Sequence, residues 1–90
     1  MSDVLRLEGA LTMSTVGARV AAGRAKAAAG DLAVDLSAVS EADSAALALL
    51  FDWMRTARAG RHTLTMTGLP AGLRSLAALY GVDELLPAKS

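Results

Sequence analysis

The stretch Asp35-Leu36-Ser37-Ala38-Val39-Ser40-Glu41-Ala42-Asp43-Ser44-Ala45-Ala46-Leu47 decides how this chain is read. The run Leu32-Ala33-Val34-Asp35-Leu36 leads into it and is short and apolar enough for a central strand. Ser37 to Asp43 then reads as a polar loop. Asp43-Ser44 followed by the small pair Ala45-Ala46 reads as the start of a helix. Ser44 is the expected N-cap, because its hydroxyl can accept from the unpaired N–H groups of the first turn. The positive end of the helix dipole lies there too, so a phosphate on Ser44 would be partly stabilised. Ala45 and Ala46 leave room for another surface to approach.

The helix opened at Ser44 extends to about Ala59, where Gly60 stops it. Leu47, Leu50, Phe51, Met54 and Ala57 follow the i, i+3, i+4, i+7, i+10 spacing of a core stripe. Arg55 and Arg58 fall near the C-terminal end, where the dipole favours cations. Leu49 and Trp53 lie one turn apart at the margin of that stripe. Two readings follow for Trp53: burial under a neighbouring helix, as wide apolar arcs usually imply, or an aromatic anchor at a partner interface.

Upstream, Val4, Leu5 and Leu7 with Arg6 and Glu8 between them predict a short strand ended by Gly9. Thr12 is placed to cap a helix beginning near Met13, and Val16, Val20, Gly23 and Ala27 recur on one face of it. Gly30-Asp31 ends that helix. Downstream, Thr63-Leu64-Thr65-Met66-Thr67 alternates polar and apolar residues as a strand does. Gly68-Leu69-Pro70 turns the chain into a third helix with Leu73, Leu76, Ala77 and Tyr80 on one side and Gly81 as its stop. Val82 to Leu86 supplies a last apolar contact. The order β-α-β-α-β-α predicts crossover connections and a largely parallel sheet in one α/β domain spanning residues 1–90.

The totals narrow the function. Of the 90 residues 53% are hydrophobic, which argues against disorder. Lys plus Arg number 9 and Asp plus Glu number 9, so the basic surplus that nucleic-acid binding requires is missing. There is no cysteine, which excludes disulfides and thiolate metal sites. Met1-Ser2-Asp3-Val4 does not read as a signal peptide. The longest apolar run, Ala45 to Phe51, falls far short of the ~20 residues that span a bilayer, so any membrane connection is expected to go through a partner.

Catalytic chemistry is not legible. His62 is the lone histidine and has no second metal ligand arranged around it in sequence. Glu41 and Asp43 lack a third group to set their pKa values apart, and a capping role suits them better than acid–base work. No glycine-rich run ends in Gly-Lys-Ser/Thr. No catalytic residue, metal or cofactor is expected.

The pattern Asp-Leu-Ser-x-Val-x-x-x-Asp-Ser-x-x-Leu-Ala-Leu-Leu over residues 35–50 resembles the STAS family. Leu7-Glu8-Gly9-Ala10-Leu11 and Thr65-Met66-Thr67-Gly68-Leu69 match segments before its first and last helices, so the likeness covers nearly the whole chain. The resemblance implies a small sheet of three to four strands with about three helices packed on it. Family members usually begin with an extra strand, expected to be shortened or missing here. Leu47-Ala48-Leu49-Leu50 and the ending Leu76-Ala77-Ala78-Leu79-Tyr80-Gly81-Val82 are most similar to the small STAS subunits of Mla-type phospholipid transporters. That likeness implies a cytoplasmic, non-catalytic subunit, held at the inner membrane by an ABC-type ATPase that itself binds the ATP. The alternative it implies is an anti-sigma-factor antagonist switched by phosphorylation of Ser44, with a kinase-type anti-sigma factor as partner. Ser44 is the central candidate, and Asp43, Ala45, Ala46, Leu49 and Trp53 are the interface candidates. Many relatives carry Asp where Thr12 stands, and Gly in one or both positions of Ala45 and Ala46.

Overall fold

The computed structural model describes residues 3–81 and 88–89. Its elements are β1 (Asp3–Leu11), α1 (Gly17–Ala29), β2 (Leu32–Ala42), α2 (Ser44–Ala59), β3 (Leu64–Thr67), α3 (Ala71–Leu79) and β4 (Ala88–Lys89). The strands form one sheet in the order β1-β2-β3-β4, and every neighbouring pair is parallel. This is the α/β arrangement expected from the alternation of elements, since parallel neighbours require crossover helices. The apolar contact expected from Val82 to Leu86 lies outside the described residues.

Leu7, Leu11, Leu32, Val34, Leu36, Leu64 and Met66 turn inward from the strands and are buried. They meet Leu47, Leu49, Leu50, Trp53 and Ala57 of α2, Ala27 of α1, and Leu73 and Ala77 of α3 in one cluster. At the alternate positions Val4, Arg6 and Glu8 are exposed, and Ala33, Asp35, Thr65 and Thr67 are half-buried. The second face of the sheet is therefore the wetter one, as period-two alternation requires.

Three boundaries differ from the sequence reading. β1 does not end at Gly9 but runs through it to Leu11. Gly9 has φ +74°, and the register shifts between Gly9 and Ala10, so the glycine marks an irregularity inside a strand. Thr12 caps no helix. Its carbonyl accepts from the N–H groups of Thr15 and Val16 (both 2.9 Å), its own N–H donates to Thr15 Oγ1 (2.9 Å), and α1 begins only at Gly17. The expected loop Ser37 to Asp43 is largely strand, because β2 continues beside the extended β1 as far as the pair Leu11–Ala42. Pairing with a neighbour overrode the polar local sequence. Its one visible trace is Asp35, whose carboxylate accepts from the N–H (2.9 Å) and Oγ (2.6 Å) of Ser37 beside the first register shift. These hydrogen bonds hold the Asp35 carboxyl below its ordinary pKa.

Candidate functional site

The start of α2 is built by Asp43 rather than by Ser44. Asp43 is extended (φ −124°, ψ −169°), and its Oδ1 accepts from the Ala45 N–H at 2.8 Å, the geometry of an N-cap. Its Oδ2 accepts from the Met13 N–H at 3.1 Å, and its own N–H donates to the Leu11 carbonyl at 3.2 Å. One carboxylate thus ties the helix start to the turn that follows β1. The expectation that Ser44 caps the helix is corrected: an acidic side chain immediately before it already takes the first-turn N–H.

Ser44 is the first helical residue and is exposed, and no hydrogen bond among the described residues uses its hydroxyl. Ala45 beside it is half-buried, whereas Ala46 is fully buried and Leu49 retains 4% exposure. Met13, brought alongside through Asp43, is 80% exposed. The residues on offer at this helix start are therefore Ser44, Ala45 and Met13, with Ala46 and Leu49 supporting them from beneath.

Trp53 belongs to the core. It has no exposed surface, and its Nε1 donates to the Val20 carbonyl of α1 at 3.1 Å. Of the two readings of this residue, burial beneath the neighbouring helix is the one the packing takes. The wide apolar arc of α2 reflects two buried contacts, with the sheet on one side and α1 on the other.

Between α1 and α2 a shallow apolar groove begins close to Ser44. Val16 and Val20 line one wall and Ala45, Ala48 and Leu49 the other. Its far end is closed by Arg24, whose Nε and Nη2 donate to the two carboxylate oxygens of Asp52 at 2.8 and 3.0 Å. Arg55 adds a contact to Asp52 at 3.3 Å. The hydrogen bond from Arg24 holds the Asp52 carboxyl below its usual range, and Asp52 in turn pushes Arg24 up. The sequence reading missed this groove. Its only linear signal was Val16 and Val20 one turn apart, and nothing local told which helix would face them.

His62 lies in the α2–β3 turn, where its N–H donates to the Ala57 carbonyl at 2.8 Å. Glu41 is exposed on β2. Among the described residues no three His, Cys, Asp or Glu side chains gather as a metal site.

A family model described as "Mlab, STAS domain" matches residues 1–87. The chain belongs to the STAS family. Within it, this STAS domain is closely related to MlaB. Among solved structures, it superposes on the anti-sigma factor antagonist SpoIIAA in its unphosphorylated form with a TM-score of 0.77. That superposition covers 99% of this chain and 80% of the other at 17% sequence identity, a likeness of fold. No curated protein matches the chain.

STAS domains are regulatory and interaction modules that bind partner proteins. The geometry at the start of α2 suits that role. The small, half-buried Ala45, the exposed Ser44 hydroxyl and the apolar groove make a surface open to close approach. Among the described residues no helix is long and apolar enough to cross a membrane.

Proposed function

We propose that this STAS domain is a non-catalytic subunit that binds and regulates the ATPase of an inner-membrane phospholipid ABC transporter serving outer-membrane lipid asymmetry. The observation that carries the reading is the MlaB-type family match over residues 1–87. In this reading the ATPase docks on the start of α2, over Ser44 and Ala45, with apolar side chains entering the groove beside Val16 and Ala48. The sequence has no phosphate-binding loop, so the nucleotide sits in the ATPase and this chain acts through contact alone. Its place is the cytoplasmic side of the inner membrane, reached through the partner.

A second reading has one observation of its own. The Ser44 hydroxyl is exposed and engaged in no described hydrogen bond, which leaves it accessible to a kinase. As an anti-sigma-factor antagonist the domain would bind a kinase-type anti-sigma factor and be released when Ser44 gains a phosphate beside the Asp43 carboxylate.

Co-expression separates the two. The tagged domain is produced with an Mla-type ATPase in one culture and with a kinase-type anti-sigma factor in another. The transporter reading expects stoichiometric co-purification with the ATPase alone. Exclusive capture of the kinase, or its phosphorylation of Ser44, supports the second reading instead.

A further inference from the structure

β1 stands at the edge of the sheet, and no described strand pairs with its outer side. Its backbone directions follow from its ends. The Asp3 N–H donates to the Asp31 carbonyl at 2.9 Å and the Leu11 carbonyl accepts from the Asp43 N–H, so the odd positions address β2. By alternation Val4, Arg6, Glu8 and Ala10 aim their N–H and C=O groups outward. A nine-residue edge of this kind is a template for pairing with another strand.

Side chains already occupy part of that row. The Val4 N–H donates to Asp3 Oδ1 at 2.8 Å, and Asp3 Oδ2 is held by Lys26 Nζ at 2.7 Å. The Glu8 carbonyl accepts from Arg19 Nη2 at 3.1 Å, and the Ala10 carbonyl accepts from Thr15 Oγ1 at 2.8 Å. Arg19 and Lys26 are seven residues apart on α1 and so lie on one face of it, about two turns from each other. Thr15 sits one turn before Arg19 in the lead-in to the helix. A single side of α1 and its approach thus runs along the open edge of β1.

We propose that this side of α1 guards β1 against edge-to-edge pairing with a second copy of the chain. The charges on β1 make a second copy the occupant to guard against. In an antiparallel pair about a twofold axis at Leu7, Arg6 of one copy stands opposite Glu8 of the other, and Glu8 opposite Arg6. Val4, 62% exposed, then meets Ala10. Opposite charges directly across a ladder stabilise it, and like charges destabilise it. Moving the axis to Arg6 would set Arg6 against Arg6, so self-pairing has one favoured register. The Arg6–Glu8 ion pair within the chain, 3.5 Å long and well exposed, is available for this exchange.

The test uses the double variant Asp3→Ala/Arg19→Ala, which frees the Val4 N–H and the Glu8 carbonyl and removes one charge of each sign, so the net charge stays at zero. Arg19→Ala alone serves as a second, milder variant. Light scattering coupled to size exclusion is read across a concentration series, with circular dichroism checking the fold. The guard account expects a monomeric parent and a dimer from the variants, with the double variant associating at least tenfold more tightly than the parent. Adding Arg6→Pro, which removes an outward N–H without costing a bond to β2, restores the monomer. Adding Glu8→Arg instead, which sets Arg against Arg6, weakens the dimer. A folded double variant that stays monomeric overturns the proposal, as does association that persists with Arg6→Pro or a parent that already dimerises through β1.

Discussion

The indole of Trp53 occupies the space that a Cβ on Gly23 would need, so the only tryptophan and a glycine of α1 fit together as one contact. The Trp53 Nε1 hydrogen bond to Val20, one turn before Gly23, holds the ring in that position. The missing side chain at Gly23 is what allows α1 to lie close on α2.

Replacing Gly23 with Ala should therefore destabilise the domain. In an unhindered helix the same change gains roughly 1 kcal/mol of propensity. Here the added methyl overlaps a buried ring, and overpacking typically costs about 1–3 kcal/mol. A melting curve should move down. A rise in Tm would mean that the helices separate freely at this contact. Trp53→Ala should be far more damaging, at about 3–5 kcal/mol, and should leave the domain largely unfolded on warming.

The capping assignment is checked by a pair of neighbours. Asp43→Ala removes the bond to the Ala45 N–H and the tie to Met13 together, so a loss of about 1–2 kcal/mol is expected. Ser44→Ala removes no described hydrogen bond and should stay within about 0.5 kcal/mol of the parent. Urea titration of the two variants distinguishes them. Equal losses would return the cap to Ser44.

Acid should loosen the α1–α2 contact through Asp52. Arg24 depresses the Asp52 pKa in the folded state, so its contribution is fully present above the unfolded value of about 3.9. It is lost as pH falls through the lower folded value. The stability of Asp52→Asn should accordingly depend less on pH in that acid window than the parent's does. Thermal melts from neutral pH downward read this out. Parallel curves for the two proteins would remove Asp52 from the acid response.

Element types as far as α3 were legible because each rests on local periodicity: Leu47, Leu50 and Ala57 repeat as a helix, and Thr63 to Thr67 alternates as a strand. The two-residue β4 was not, because it is defined by its pairing with Met66 and Thr67 and is too short for any alternation to show. The boundaries that moved depend on partners distant in sequence. The extension of β2 through Ser37 to Ala42 exists because β1 lies alongside it. Gly9 reads locally as a stop, yet it is tolerated inside β1 as an irregularity. At the site, the helix start at Ser44 was visible, but the cap was not. Asp43 and Ser44 are both good capping residues, and only the bond from Met13, thirty positions away, shows how Asp43 is held. Trp53 was ambiguous for the same reason. Its environment is made by Gly23 and Val20 of another helix, which no window around Trp53 contains.

The most direct measurement of the central claim is a calorimetric titration of the folded domain into a purified Mla-type ATPase, run with the parent and with Ser44→Glu. Ser44→Glu should melt like the parent, since the dipole at a helix start tolerates an acid. A charge desolvated at the docking surface is costly unless a cation pairs with it. The account predicts saturable binding by the parent, weakened at least tenfold by Ser44→Glu, which corresponds to about 1.4 kcal/mol. A folded parent that does not bind the ATPase, or a folded Ser44→Glu variant that binds as tightly as the parent, would contradict it.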